Sequence, residues 1–338
     1  MKHAGTSSYA TAASPQILTA TSEGRPAWRR ESVAPEDWLI PLPTPCLAEF
    51  DAVVATLRQH PQPVEQLTPV AFSLPACAAV MAQVRHKLQQ DIGFAVLDRV
   101  PVERYSPTES TAVGWLLAGL LGQVVSQKWD GTRLYGVQDY GKPLGYGVRR
   151  SVTNLEQAFH TDGGWLAKTP EYIGLFCLQP AQEGGYNRVA SLLTAHNDLQ
   201  RQHPDLLARL YRPFWWDRQA EHDPHDAKYS AHPVYEFDGH TLSARYYDDY
   251  VVHGYKLAGE PLDQVGVAAL TAMRSIIDAP ENWVEFHTEK GQFLYVNNRQ
   301  FAHSRTAFTD LPEPHLHRHI LRLWNRNDGP PDLEAQGR

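Results

Sequence analysis

The sequence is poor in several things, and each shortage excludes something. Only three of its 338 residues are cysteine (Cys46, Cys77 and Cys177). They are too few and too scattered for a disulfide framework or a structural zinc site. That usage fits a reducing compartment, so a cytoplasmic location is expected. No basic excess exists: 31 Lys and Arg stand against 38 Asp and Glu, a net charge of −7. Nothing here would hold a phosphate backbone, and nucleic acid is not expected as a partner. A Gly-rich phosphate loop of either common type is also missing. The uncharged stretch from Ser110 to Gln127 contains Ser, Thr, Gln and three Gly. It is short for a membrane span and reads as a buried core helix, so no membrane partner is expected.

The first 35 residues are rich in Ser, Thr, Ala and Pro and lack the apolar block of a secretory signal. Residues 1–35 are therefore expected to form a flexible arm, and residues 329–338 a loose tail. Between them the composition is that of a globular chain, 42% hydrophobic and 20% charged. The length allows about two domains or one large one.

Periodicity sets out the elements. Trp38–Leu42 reads as a short strand. Residues 75–90 have helical spacing, with Val80, Val84 and Leu88 on one stripe. Residues 93–100 read as a strand packed by that helix, and 108–121 as a second apolar helix. Strand-like runs follow at 132–137 and 172–178, then a helical stretch at 192–210 broken near Pro204. From Pro213 the texture changes to short β-rich runs, PFWWDR, HPVYEF, TLSARYY and YVVHGY, between Asp, Gly and His turns. A helix over 261–278 interrupts them, and strands at 292–297 and 318–325 close the chain. Many short strands with a few covering helices predict a β-rich α+β fold, a sandwich or jelly roll with helical decoration.

The segment with chemical content is Phe159-His160-Thr161-Asp162-Gly163-Gly164. A non-haem iron(II) centre needs two neutral imidazoles, one carboxylate and open positions on one face. In extended chain, residues two apart point to the same side, so His160 and Asp162 could reach one metal. Gly163 and Gly164 would let the chain turn away. Alone the pair is weak, since a chain with 16 His offers such pairs by chance, and by itself it reads better as a solvated turn. A third ligand must come from far along the chain. His303 is the best candidate, placed near a strand end after the run QFLYVNN. In HRHILRLWNR, alternation puts Arg318, Ile320, Arg322 and Trp324 on one face and His317, His319, Leu321 and Leu323 on the other. Two arginines on such a face are costly if buried without anions, and a carboxylate ligand would relieve that cost. If the face is solvated, no ligand is needed.

FHTDGGW, EYIGLFCLQPAQEGGYNRVAS and NNRQFAHSRTAFTDLPEPHLHRHILRLW together resemble the taurine dioxygenase/TfdA-like family. These are Fe(II)/2-oxoglutarate-dependent oxygenases, a group that includes γ-butyrobetaine hydroxylase and clavaminate synthase. The resemblance covers roughly residues 93–326. It implies a double-stranded β-helix (jelly roll) with covering helices. The catalytic domain would run over 36–328, with an N-terminal α/β portion at about 36–130. It also implies iron(II) on His160, Asp162 and His303, with 2-oxoglutarate and O2 as co-substrates. The far carboxylate of 2-oxoglutarate would pair with Arg318, and Arg322 would help it or touch the substrate. Asn187 stands near the place where the family often has a Thr or Ser hydroxyl, and its amide can donate the same hydrogen bond. Related halogenases lack the metal-binding carboxylate, so Asp162 implies hydroxylation, desaturation or ring formation instead. The family's habit allows a homo-oligomer.

The expected substrate is a small molecule such as an amino acid, a betaine or a natural-product intermediate. Candidate pocket residues are Asn154, Glu156 and Trp165, which flank the His-x-Asp strand. Arg149 and Arg150 could take an anionic group, and Tyr246 and Tyr247 an apolar body or quaternary ammonium. Glu156 would favour an amine. Two other histidine sets, His315-x-His317-x-His319 and His222 with His225, read as packing or surface residues. A non-catalytic metal-binding jelly roll and a zinc hydrolase remain as alternatives; the hydrolase would have no use for Arg318.

Overall fold

The computed structural model describes residues 15–332. Two β-sheets face one another. The larger runs in the order Leu39–Pro41, Phe94–Asp98, Phe293–Asn297, Tyr172–Gln179, His319–Asn325, Val124–Val125, and Tyr135–Val137 also pairs with the His319–Asn325 strand. The smaller runs Trp283–Phe286, Asn187–Ser191, Phe301–Arg305, Gln157–His160, all antiparallel. Alternation explains how both faces of the larger sheet are covered. Phe94, Val96, Leu294 and Val296 point inward and meet Val189, Val284 and Phe301 of the smaller sheet. Ala95, Leu97, Phe293 and Tyr295 point outward into a second core built with the helices Thr44–Gln59, Pro75–Gln90 and Pro107–Leu121. The expected stripe Val80, Val84 and Leu88 is the buried face of the second of these. The third helix starts at a capping box, Ser106 with Glu109, and most of its apolar sequence is buried. On the other side, the helices Leu192–Gln202, Pro204–Leu210 and Gln264–Asp278 cover the outer face of the smaller sheet, where Phe159, Ala190 and Ala302 point.

Three expectations change. Residues 15–35 do not form a flexible arm. Residues 1–14 lie outside the described residues, but from residue 15 the chain is docked. Trp28 is buried and donates from Nε1 to the Ile92 carbonyl at 2.8 Å, and Arg29 pairs with Asp198 at 2.6 Å. The low complexity of this segment hid one tryptophan that fills the sandwich core. Of the tail, residues 333–338 lie outside the described residues, while the Pro331 carbonyl accepts from the Ser126 amide and Asp332 pairs with Arg133. The run YVVHGY belongs to a helix, Asp248–Ala258. Asp248 and Asp249 in its first turn, Lys256 in its last and Gly259 in the left-handed conformation beyond are ordinary helix boundary signals. They outweighed the β-branched pair Val251-Val252.

Among the described residues, no helix is long and apolar enough to cross a membrane.

Candidate active site

The smaller sheet sets the site. His160 ends the Gln157–His160 strand and faces His303 across the ladder. His303 lies in the middle of Phe301–Arg305, rather than near a strand end as the run before it suggested. Alternation turns Phe159 and Ala302 outward and leaves both imidazoles inside, their ring centroids 4.3 Å apart. Past His160 the chain leaves the sheet. Asp162 is pinned there by Asn298, whose Oδ1 accepts from the Asp162 amide at 2.7 Å and whose Nδ2 donates to the Asp162 carbonyl at 3.0 Å. Gly163 then takes φ +66°, and a Cβ there would sit 2.9 Å from Leu166 and 3.0 Å from Pro170. The glycine is therefore required by conformation and by space. The result is a buried cluster in which one ligand atom from each of His160, Asp162 and His303 lies within 4.8 Å of the others.

Donor chemistry and orphaned atoms both fit a divalent transition metal. His160 Nδ1 bonds to the Ala158 carbonyl at 2.9 Å, leaving Nε2 to face the cluster, 3.4 Å from Asp162 Oδ1. His303 is buried, and its Nδ1 has no hydrogen-bond partner among the described residues. Burial and the neighbouring His160 push the His303 pKa down to about 3, which keeps the ring neutral as a ligand must be. Burial alone would push the Asp162 carboxyl up, but Arg322 and then hydrogen bonding from His160 hold it far below the usual range. Two imidazoles and one carboxylate are the donor set expected of a non-haem iron site.

Behind the cluster lies a strongly cationic recess lined by Asn187, Arg305, Arg318 and Arg322. Arg318 is buried and has no acidic side chain in ion-pair contact among the described residues; its nearest acceptor is the Val137 carbonyl at 3.5 Å. Its guanidinium lies over the Phe308 ring at 5.0 Å, and burial pushes its pKa down to about 10. Arg305, overlooked in the sequence, lies over the same ring at 4.7 Å. Its Nη1 has no partner among the described residues, and burial and then Arg318 lower its pKa to about 9. Two positions from His303 on one strand, it was open to discovery by alternation alone. Arg322 pairs with Asp162 at 3.0 Å and takes Gln127 Oε1 at 2.7 Å. Asn187 donates to Thr288 Oγ1 at 2.6 Å.

The substrate candidates divide. Trp165 is buried 5.2 Å beneath Arg149, and its Nε1 has no partner among the described residues. Arg149 is neutralised by Glu221 at 2.6 Å, so it is not free for an anionic group. Glu156 and Asn154 are corrected: both are exposed on the loop before the strand. The Glu156 side chain is 64% exposed and pairs with Arg188, because this loop has left the sheet's alternation. Tyr246 is also corrected. Its ring is buried in the helical core, with Asp248 and Arg274 acting on its hydroxyl. Its neighbour Tyr247 faces the cluster, its ring 5.3 Å from that of His160. The remaining histidine sets, including His222 and His317, form no such group among the described residues.

The taurine catabolism dioxygenase TauD, TfdA family model matches residues 63–324. The FR-33289 synthase of Streptomyces rubellomurinus is 28% identical over 91% of each chain. The taurine hydroxylase-like protein SAT17 of Stachybotrys chartarum is 27% identical over 87% of this chain and 76% of its own. Among solved structures, an asparagine oxygenase in complex with Fe(II), 3-hydroxyasparagine and succinate superposes with a TM-score of 0.68 at 17% identity, over 88% of this chain and 95% of that one. The non-haem iron oxygenase OrfP with Fe and α-ketoglutaric acid gives 0.61 at 15%, over 86% and 94%.

Proposed function

The chain belongs to the taurine catabolism dioxygenase TauD, TfdA family, and from that premise we propose how its residues divide the work. It is an iron(II)- and 2-oxoglutarate-dependent dioxygenase acting on a small molecule. His160, Asp162 and His303 hold the metal. Arg318 receives the far carboxylate of 2-oxoglutarate, with Asn187 beside it. Arg322 orients Asp162 and reaches toward the reacting end. The observation that carries this reading is the buried cluster of two histidines and one aspartate, with its ligand atoms within 4.8 Å.

Bound iron(II) with 2-oxoglutarate supplies the activation of O2 that oxidises a substrate C–H bond, while 2-oxoglutarate is converted to succinate and CO2. The protein's part is orientation and exclusion of water. The sheet fixes both imidazoles. Arg322 and Trp324 fix one oxygen of Asp162 and leave the other to the metal. Arg318, a buried cation without an acid beside it, is suited to a dicarboxylate, and a guanidinium fork grips a carboxylate at two points. A zinc hydrolase has no use for such a residue.

The reaction is hydroxylation, with an amino acid, betaine or natural-product intermediate as substrate. The hydroxyasparagine held by the asparagine oxygenase supports the amino-acid end of that range. The buried free thiols Cys46, Cys77 and Cys177 support a cytoplasmic setting, and the family's habit a homo-oligomer. The deciding experiment is succinate release assayed against a substrate panel. Release should require iron(II), 2-oxoglutarate and substrate together. Succinate formed without iron, or none with any substrate, would refute the reading.

A further inference from the structure

We propose that Asp217 receives a cationic nitrogen of the substrate and so sets which small molecules this enzyme accepts. The inference rests on the dioxygenase reading above and adds a substrate class to it.

Beside the metal cluster lies a cavity of about 480 Å³ whose walls include Tyr146, Arg150, Asp217, Gln219, Tyr247 and Tyr250. It connects to the cluster through aromatic rings. Tyr247 is 5.3 Å from the His160 ring and 4.3 Å from the Tyr250 ring. Tyr250 shares the cavity wall with Asp217. A molecule filling this cavity would reach from Asp217 toward the reacting centre.

Asp217 ends the Phe214–Asp217 strand and is only 2% exposed. Other acids around the cavity have a cation in contact. Glu221 has Arg149 at 2.6 Å, Asp248 has Arg274 at 2.5 Å, and Asp249 has Arg274 at 3.3 Å. Asp217 has no ion-pair partner among the described residues. Both its oxygens are instead oriented by Gln219, through the backbone amide at 2.7 Å and Nε2 at 2.5 Å. Neutral amide donors hold the carboxylate in place without cancelling its charge. Burial pushes its pKa above the ordinary carboxylate value, against the pull of Gln219 and His253.

A buried, uncompensated carboxylate is expensive, and an incoming cation recovers the cost. The rest of the wall suits the same guest, because tyrosine faces attract ammonium groups. Arg150 and Lys256 also line the cavity, and neither has an acidic side chain in ion-pair contact among the described residues. They leave a place for an anionic group at the other end of the same molecule. The acid that favours an amine is therefore Asp217, far along the chain from the exposed Glu156.

The test uses the full chain, loaded anaerobically with iron(II) and 2-oxoglutarate. The probes are L-lysine, L-asparagine, putrescine and choline at millimolar concentration. Each is paired with its fully N-acetylated counterpart or, for choline, with the carbon isostere 3,3-dimethylbutan-1-ol. Binding is read from the thermal unfolding midpoint. At least one cationic member should bind about 10- to 100-fold more tightly than its neutral partner. Asp217→Asn keeps an oxygen to accept the Gln219 amide and removes the charge, so it should abolish that preference. Equal binding within every pair, no binding by any cation, or a preference that survives Asp217→Asn would each overturn the proposal. A purely structural Asp217 would lower the ligand-free midpoint and leave the preference intact. Failure of 2-oxoglutarate itself to bind the iron-loaded protein would instead count against the dioxygenase reading.

Discussion

Trp324 Nε1 donates to Asp162 Oδ2 at 2.8 Å, and Arg322 reaches the same oxygen at 3.0 Å. Both come from the His319–Asn325 strand of the larger sheet, while Asp162 follows the His160 strand of the smaller one. With Oδ2 occupied, Oδ1 is left facing His160. Trp324→Phe should keep most of the packing and release one constraint. Loss of a supporting hydrogen bond typically costs about 10- to 100-fold in metal affinity or activity. The expected result is iron(II) binding weakened at the lower end of that range, measured by anaerobic titration. Unchanged affinity would mean that Arg322 alone sets the carboxylate.

Arg318 leads to an unusual pair of expectations. Arg318→Met keeps the length of the side chain and removes the charge. If Arg318 binds 2-oxoglutarate, the affinity for that co-substrate should fall about 10- to 100-fold, the worth of a charge-assisted hydrogen bond of ~1.5–3 kcal/mol. Ligand-free stability should hold or rise, because a buried cation without an acid partner is gone. Binding and thermal unfolding on the same preparation check both. A lowered midpoint with co-substrate binding intact would make Arg318 a structural residue.

Strongly periodic elements were legible in the sequence. The helix Pro75–Gln90 has one stripe facing one sheet, and local spacing is enough to find it. The strand His319–Asn325, with Arg322 on it and Arg318 just before it, was legible because alternation acts on one run of residues. The same rule points to Arg305, two positions beyond His303 on one strand. Asn154 and Glu156 lie in the exposed loop just before the Gln157–His160 strand, so closeness along the chain does not bring them into the site. Tyr246, expected there for its aromatic ring, is buried in the helical core instead. Asp217 could not be found that way at all. Its importance depends on which cations fail to reach it, and only packing decides that. Asn298, which pins Asp162, belongs to the same class of residue.

Two histidines remote from the metal cluster set an acid limit on stability. His196 is fully buried against the Tyr211 hydroxyl at 2.7 Å, and burial lowers its pKa to about 4. His232 is lowered to about 3 by burial and by Arg245. Unfolded histidine titrates near 6.5, so the unfolded chain takes up protons first as the pH falls. Stability is whole above pH 6.5 and is lost progressively down toward pH 4, with His196 contributing on the order of 3 kcal/mol. His196→Gln keeps a polar partner for Tyr211 and cannot titrate. Its unfolding midpoint should fall less steeply between pH 6.5 and 4.5 than that of the parent. Parallel slopes would show that His196 does not set the limit.

Gly163 tests whether metal affinity depends on the turn after Asp162. Its φ of +66° disfavours any L side chain, at a cost of ~1–3 kcal/mol. The added methyl would also press on Leu166 Cδ1 at 2.9 Å and Pro170 Cδ at 3.0 Å. Pro170 is tied to the metal side, because its carbonyl accepts at 3.1 Å from Asn298, the residue that pins Asp162. Strain at position 163 therefore has a direct route to the carboxylate. Gly163→Ala should lower the unfolding midpoint and weaken iron(II) binding together. The control is Gly131→Ala, a left-handed position with no atom within 4 Å of the added methyl and outside the metal cluster. It pays the same backbone cost, so it should lower the midpoint and leave iron affinity alone. If both variants lost iron equally, the turn would have no special part in holding Asp162, and the loss would follow from general destabilisation.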